Sequence, residues 1–253
     1  MARANRHFIA GQIWHITQRC HQQQFLLRFD VDRRRWLYWL FQARKRYGLS
    51  VLNYVVTSNH IHLLVRDCGN DAIPNSMQLI AGRSAQEFNR RLDRRGAFWE
   101  DRYHATAIQS SVHLARCLVY IDLNMVRAGV VDHPELWTSG GYYESLNPRR
   151  RGGRIDHEGL RNLLGVKSTE QLQLIRKAWI DVRLQGLSLE REPVWTESLA
   201  VGSLAYAQKM QKALGASFRS RLTRAEDVGY SLRELGESYG IRHHLDLGKR
   251  RSR

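Results

Sequence analysis

Ser50-Val51-Leu52-Asn53-Tyr54-Val55-Val56, Thr57-Ser58-Asn59, His60-Ile61-His62-Leu63-Leu64-Val65-Arg66 is the stretch on which the fold turns. Two runs rich in β-branched and aromatic residues flank a short step of turn-prone polar residues, which predicts a β-hairpin. Successive side chains of a strand point to opposite faces. In the second run His60 and His62 therefore share one face, and Ile61, Leu63 and Val65 share the other.

Working outward, Ile13–Arg19 alternates in the same way, with His15 and Thr17 on one face and Trp14 and Ile16 on the other. Between this strand and the hairpin, Trp36, Leu37, Leu40, Phe41 and Arg44 recur at helical spacing. Asp30 or Asp32 is the expected N-cap and Gly48 the stop. Downstream, Pro74 suits a first helical turn. Met77, Ile80, Ser84, Phe88 and Leu92 continue that helix toward Gly96. Trp99–Gln109 reads as a further strand, and Ser110 or Ser111 caps a last helix that runs to Gly129. The first six elements are βαββαβ. The expected class is α+β, a ferredoxin-like antiparallel sheet with helices on one face.

The character changes after Trp137. Pro148-Arg149-Arg150-Arg151-Gly152-Gly153-Arg154 reads as a basic, turn-rich linker. The expected division is a catalytic domain over 1–148 and a linker plus a mainly helical region over 149–253. Leu172, Ile175, Trp179 and Val182 mark one helix there, and Leu204, Ala207, Met210 and Leu214 another. Lys249–Arg253 is a basic tail.

The chain has 253 residues, 40 Lys+Arg against 24 Asp+Glu, and a net charge of +16. Solubility alone does not need so one-sided a balance, and nucleic acid is the commonest polyanionic partner. Cys20, Cys68 and Cys117 have neither zinc-site spacing nor a disulfide framework, so a reduced, cytoplasmic setting is expected. MARANRHFIAGQIWHITQRC lacks the apolar core of a signal peptide. No stretch approaches the roughly 18 apolar residues of a membrane span, so no membrane partner is expected.

Two imidazoles on one face of a strand, one residue apart, can chelate a metal ion. A bare His-x-His is more often a pair of ordinary half-exposed histidines, so support must come from elsewhere. It comes from the helix after Ser111. Leu114, Leu118, Ile121, Met125 and Ala128 form its core stripe. A second stripe, about 100° per residue onward, holds His113, Cys117, Tyr120, Asn124 and Arg127. Tyr120 and Asn124 are one turn apart and are neighbours. Packing would also explain a tyrosine there, and solvent an asparagine.

Residues 8 to about 145 resemble the one-tyrosine transposases of the HUH endonuclease superfamily, especially the REP-associated tyrosine transposases. The similar stretches are Ile13–Arg19, Ser58–Val65, Phe98–Tyr103 and Tyr120–Gly129, in matching order and spacing. The resemblance implies His60 and His62 as ligands of Mg²⁺ or Mn²⁺, Asn124 as the third ligand, and Tyr120 as the nucleophile. The implied reaction is cleavage and rejoining of single-stranded DNA at hairpin-forming palindromic elements through a covalent phosphotyrosine. The family usually has Asn-Pro where this chain has Asn124-Met125, so the helix is expected to run on to Gly129. The implied partner is a single-stranded DNA hairpin, bound by a monomer or a homodimer. Arg83, Arg90, Arg91, Arg94, Arg95, Arg102, Tyr103 and Arg127 are the candidate DNA contacts, with Trp14 and Trp99 as further stacking platforms. Two alternatives stay open: a sequence- or hairpin-specific DNA-binding protein on the same fold without catalysis, and a metal hydrolase that uses water.

Overall fold

The computed structural model describes residues 8–148, 152–186, 190–214, 220–225 and 228–234. The hairpin forms as expected. β2 (Ser50–Val56) and β3 (His60–Arg66) pair antiparallel with a bulge between Val51 and Asn53. The turn is held from within: the Thr57 hydroxyl donates to the His60 carbonyl at 2.9 Å, and the Thr57 N–H donates to the same oxygen at 3.0 Å. β1 (Ile13–Arg19) pairs antiparallel with β3 on one side and with β4 (His104–Ile108) on the other.

Helix α1 (Asp30–Tyr47) follows β1 and stops at Gly48, whose φ of 68° is a left-handed conformation that glycine adopts without steric cost. Its N-cap is Phe29 and not an aspartate; Asp32 is buried and ion-paired with Arg91. α2 (Ala72–Arg91) follows β3 and ends short of Gly96. α1 and α2 lie together on one face of the sheet. There Ile61, Leu63 and Val65 pack with Trp36, Leu40, Ile73, Met77 and Ile80, all at most 1% exposed.

The sheet order is β2-β3-β1-β4-β5-β7-β6. Its first four strands are the ferredoxin-like arrangement; the remainder differs from expectation in three ways. β5 (Ala200–Gly202) joins β4 in parallel, so the seven-stranded sheet is mixed and not wholly antiparallel. β7 (Gly229–Glu234) and β6 (Ser220–Ala225) extend it, so the C-terminal region supplies strands as well as helices. Helices also cover the second face. α3 (Val112–Asp122), α6 (His157–Leu164), α7 (Thr169–Gln185) and α8 (Val194–Glu197) pack Leu114, Leu118, Ile121, Leu160, Leu172 and Trp195 against Leu52, Val55, Leu64 and Ile108. Two short helices, α4 (Asn124–Arg127) and α5 (Gly141–Leu146), link α3 to α6, and α9 (Leu204–Ala213) follows β5. β4 is shorter than the strand expected over Trp99–Gln109; Trp99 makes only an isolated bridge to Cys20.

The expected linker is anchored where it is described. Arg154 is buried, donates to the Leu37 carbonyl at 2.9 Å and pairs with Glu144 at 2.8 Å. The Tyr54 hydroxyl donates to the same carboxylate at 2.7 Å. The Asp156 N–H donates to the Val51 carbonyl at 2.7 Å. Residues 149–151 and the basic tail lie outside the described residues. Farther along, Arg176 on α7 meets Asp122 at 2.8 Å with both side chains 2% exposed, and Asn53 of β2 donates to Asp122 at 2.8 Å. A buried ion pair that loses one partner leaves a charge without compensation, a cost of about 3–5 kcal/mol.

The second face thus depends on chain beyond residue 154. A truncation that removes 155–253 should be insoluble or lack a cooperative thermal transition by circular dichroism. In the full chain, Arg176→Met should lower the unfolding free energy in urea by about 3–5 kcal/mol. A truncated protein with an unchanged melt would show that the first block stands alone.

Candidate active site

The two central strands carry polar side chains on the face that α3 covers. Thr17 is the Cα partner of both His62 and His104, and His15 is the partner of Thr106. Directly opposed residues share a face, and so do residues two apart along a strand. His15, Thr17, His60, His62, His104 and Thr106 therefore form one polar band.

Within it the two expected ligands differ. His62 is 1% exposed, whereas His60 is half-buried at the turn. The His60 Nδ1 is 2.7 Å from the Asn59 amide oxygen and 3.0 Å from the Thr57 hydroxyl. The two rings are 5.0 Å apart between centroids and nearly perpendicular. His62 Nδ1 is 2.9 Å from His15 Nε2, and His15 Nδ1 is 2.9 Å from the Trp195 carbonyl oxygen. Burial pushes the His15 pKa down to about 3 and that of His62 well below its ordinary value; cationic Arg127 adds to both effects. Both rings are neutral at pH 7.

α3 brings Tyr120 across this band. Its ring meets those of His62 at 5.8 Å and His15 at 6.1 Å, edge to face in both cases, and lies 6.2 Å from the Trp195 ring. Tyr120 is only 4% exposed. Burial pushes its pKa up, and Arg127 and Arg191 pull it back. The Arg127 guanidinium sits 4.2 Å over the phenol ring and donates to the Tyr120 carbonyl at 2.6 Å.

That last bond bears on the helix. The expectation that methionine at 125 lets the helix run to Gly129 does not hold. α3 ends at Asp122, Leu123 has ψ near 5°, and α4 restarts at Asn124. The long Arg127 side chain folds back onto the Tyr120 carbonyl, an acceptor of the last turn of α3, at the point where the helix breaks without proline. The break leaves the Asn124 amide nitrogen 3.0 Å from His62 Nε2. An amide turned end for end presents its oxygen at the same place.

His60, His62, Tyr120, Asn124 and Arg127 thus come together. The other residues expected to contact DNA do not join them. Arg83, Arg90 and Arg91 lie on α2, and Arg94 and Arg95 just after it, over the opposite face of the sheet. Arg83 sits 5.5 Å over Trp39, and Arg94 donates to the Ala97 carbonyl at 3.0 Å. Arg90, Arg95 and Arg102 are exposed. Tyr103 is half-buried and stacks on Phe8 at 6.3 Å. Trp14 is 3% exposed and belongs to the core, and the half-buried Trp99 donates its Nε1–H to the Ala81 carbonyl.

Sequence reasoning missed Trp195 and Arg191 and placed His15 on the right face without a role. Trp195 stands 180 positions from His15, too far for any periodicity to connect them. Among the described residues, no three His, Cys, Asp or Glu side chains converge as a metal cage. Nor is any described helix long and apolar enough to cross a membrane.

Residues 10–124 match the family model of IS200-like transposases. Among solved structures, the chain is similar to a REP-associated tyrosine transposase bound to a REP hairpin. The identity is 17%, the match covers 58% of this chain and 87% of that one, and the TM-score is 0.49. A candidate transposase from Deinococcus radiodurans R1 is similar at 16% identity over 41% of this chain and 83% of that one, with a TM-score of 0.32. No curated protein matches the chain. Over residues 10–124, the stretch from β1 through Tyr120 to Asn124, this chain is similar to the IS200-like transposases.

Proposed function

We propose that this protein is a metal-dependent transposase that cleaves and rejoins single-stranded DNA at hairpin elements through a covalent bond to Tyr120. The single observation that carries the reading is the meeting of Tyr120 with His62 and Asn124, from separate elements, inside a segment of transposase sequence. The hairpin substrate follows from the sequence resemblance, and the charge of +16 suits a phosphate backbone.

The donor set fits a divalent ion. Two imidazoles and an amide oxygen are a donor set that can hold a divalent ion, and the burial of His62 keeps its ring unprotonated and free to coordinate. His60, His62 and Asn124 would hold the ion. When bound, it would polarise the scissile phosphate.

The chain's own groups do the rest. The Tyr120 oxygen gives up its proton and forms a bond to phosphorus, while the bond from phosphorus to one bridging deoxyribose oxygen breaks. That oxygen takes a proton and leaves as a strand end. Attack by a strand-end hydroxyl on the phosphotyrosine reverses the sequence, so no hydrolytic water and no ATP is consumed. Free tyrosine, with a pKa of about 10, is a poor nucleophile at pH 7. Arg127 and Arg191 offset part of what burial adds.

The burial of Tyr120 favours one second reading, a hairpin-binding protein on the same fold without strand cleavage. A denaturing gel decides between them. With labelled single-stranded hairpins and Mn²⁺, the enzyme reading expects a covalent protein–DNA band. Tyr120→Phe should abolish that band and strand release while hairpin affinity stays near that of the parent; a tyrosine there only for packing would lose no more than a hydrogen bond of ~1 kcal/mol, and cleavage would survive. If Tyr120→Phe keeps the adduct, the nucleophile lies elsewhere.

Metal dependence is tested separately. EDTA, His60→Ala and His62→Ala should each stop cleavage and leave the far-ultraviolet circular dichroism unchanged. Full activity in EDTA would remove the ion from the mechanism. Single-stranded hairpins should be cut and the blunt duplex of the same sequence should not; equal cleavage of both would exclude a single-strand site.

A further inference from the structure

His15 is fully buried and engaged at both ring nitrogens. The Trp195 carbonyl can only accept a hydrogen bond, so the proton of that contact is on His15 Nδ1. His15 Nε2 and His62 Nδ1, 2.9 Å apart, have room for one proton between them. Among the described residues no carboxylate hydrogen-bonds to either ring, and both rings are buried at no more than 1% exposure, so His15 is neutral. A neutral His15 already protonated at Nδ1 has a bare Nε2. The shared proton then belongs to His62 Nδ1, and His62 Nε2 carries the lone pair. That lone pair faces the Asn124 amide at 3.0 Å.

We infer that His15, oriented by the Trp195 carbonyl, is a positioning residue that locks His62 in its Nδ1–H tautomer and turns the Nε2 lone pair toward Asn124. The inference rests on the reading of His62 as a metal ligand. Its chemistry is general: a ligating histidine is commonly oriented by the hydrogen bond at its other nitrogen, and loss of that partner weakens the site. The orienting partner here is a second histidine on the neighbouring strand, itself held by a backbone carbonyl of α8. An isolated imidazole exchanges between two tautomers; here one end of the relay is a carbonyl that cannot donate, so the direction of every proton in the row is set.

The lock is visible in the metal-free, full-length protein. With ¹⁵N-histidine labelling and long-range ¹H–¹⁵N correlation, His62 Nδ1 should resonate as a protonated nitrogen and Nε2 as an unprotonated one. In His15→Phe the two should average. Titration with Mn²⁺ alone should show binding weaker by roughly 10–100-fold in His15→Phe than in the parent. His15→Gln, whose amide can accept from His62 and donate to Trp195, should regain most of that loss. A parent protein with the His62 proton on Nε2 would overturn the inference, and so would a His15→Phe protein with unchanged tautomer and Mn²⁺ affinity. If His15→Phe fails to fold, the parent tautomer and the His15→Gln titration decide. If the parent takes up no Mn²⁺, the metal reading of His62 falls, while the tautomer measurement still tests the relay.

Discussion

A sheet face that is polar at its centre cannot be closed by an apolar helix unless each polar group finds a partner. The loss of water from an unpaired donor or acceptor costs about 1–3 kcal/mol. His15, His62 and Thr106 lie under α3 and α8 at no more than 1% exposure. Each is paired: the two histidines with one another, His15 also with the Trp195 carbonyl, and Thr106 with the Ser198 carbonyl at 2.6 Å. The irregular chain around α8 supplies carbonyls that a regular helix would have used internally. This satisfaction of the buried polar band is what lets the second face form, and with it the approach of Tyr120.

The two faces of the sheet carry different burdens. The face under α1 and α2 is almost wholly apolar and holds the chain in its fold. The face under α3 is a compromise between core and chemistry. Leu52, Leu64, Ile108, Leu114 and Leu118 pack at one end of it, and the histidines occupy the other. Arg176 and Asp122 extend the compromise, since an ion pair at 2% exposure adds little net stability over an apolar pair. It ties α7 to the last residue of α3, immediately before the break that precedes Asn124. Position, and not strength, is what such a pair contributes.

Charge is distributed with a similar division. Arg127 and Arg191 act at the phenol, one 4.2 Å over its ring and both by their field. The arginines of α2 and the loop after it stand over the other face. Several are engaged with the protein itself, as Arg91 is with Asp32 and Arg83 with Trp39. At one end of the sheet lies the Thr57–Asn59 turn between β2 and β3. That end is polar, and Asn59 there donates to the Gln23 carbonyl at 3.2 Å.

What the sequence determined by itself is the local part. β1, β2 and β3 begin and end at the residues their alternation marks, α1 stops at its glycine, and the shared face of His60 and His62 follows from the period of a strand. These features depend on neighbours a few positions apart, which is the range that periodicity reads. Tertiary structure decided the rest. Ala200-Val201-Gly202 is too short to show alternation, and its place beside β4 is set by α8 and α9 on either side of it. Arg154 reads as one more cation of a solvated linker; only the fold brings Glu144 and the Leu37 carbonyl around it. The Arg127 guanidinium at the break after Asp122 reaches a carbonyl seven positions back, and the partners of His15 come from 47 and 180 positions away. No local pattern carries such contacts, because they arise only when the sheet is covered and its buried polar groups must be paired.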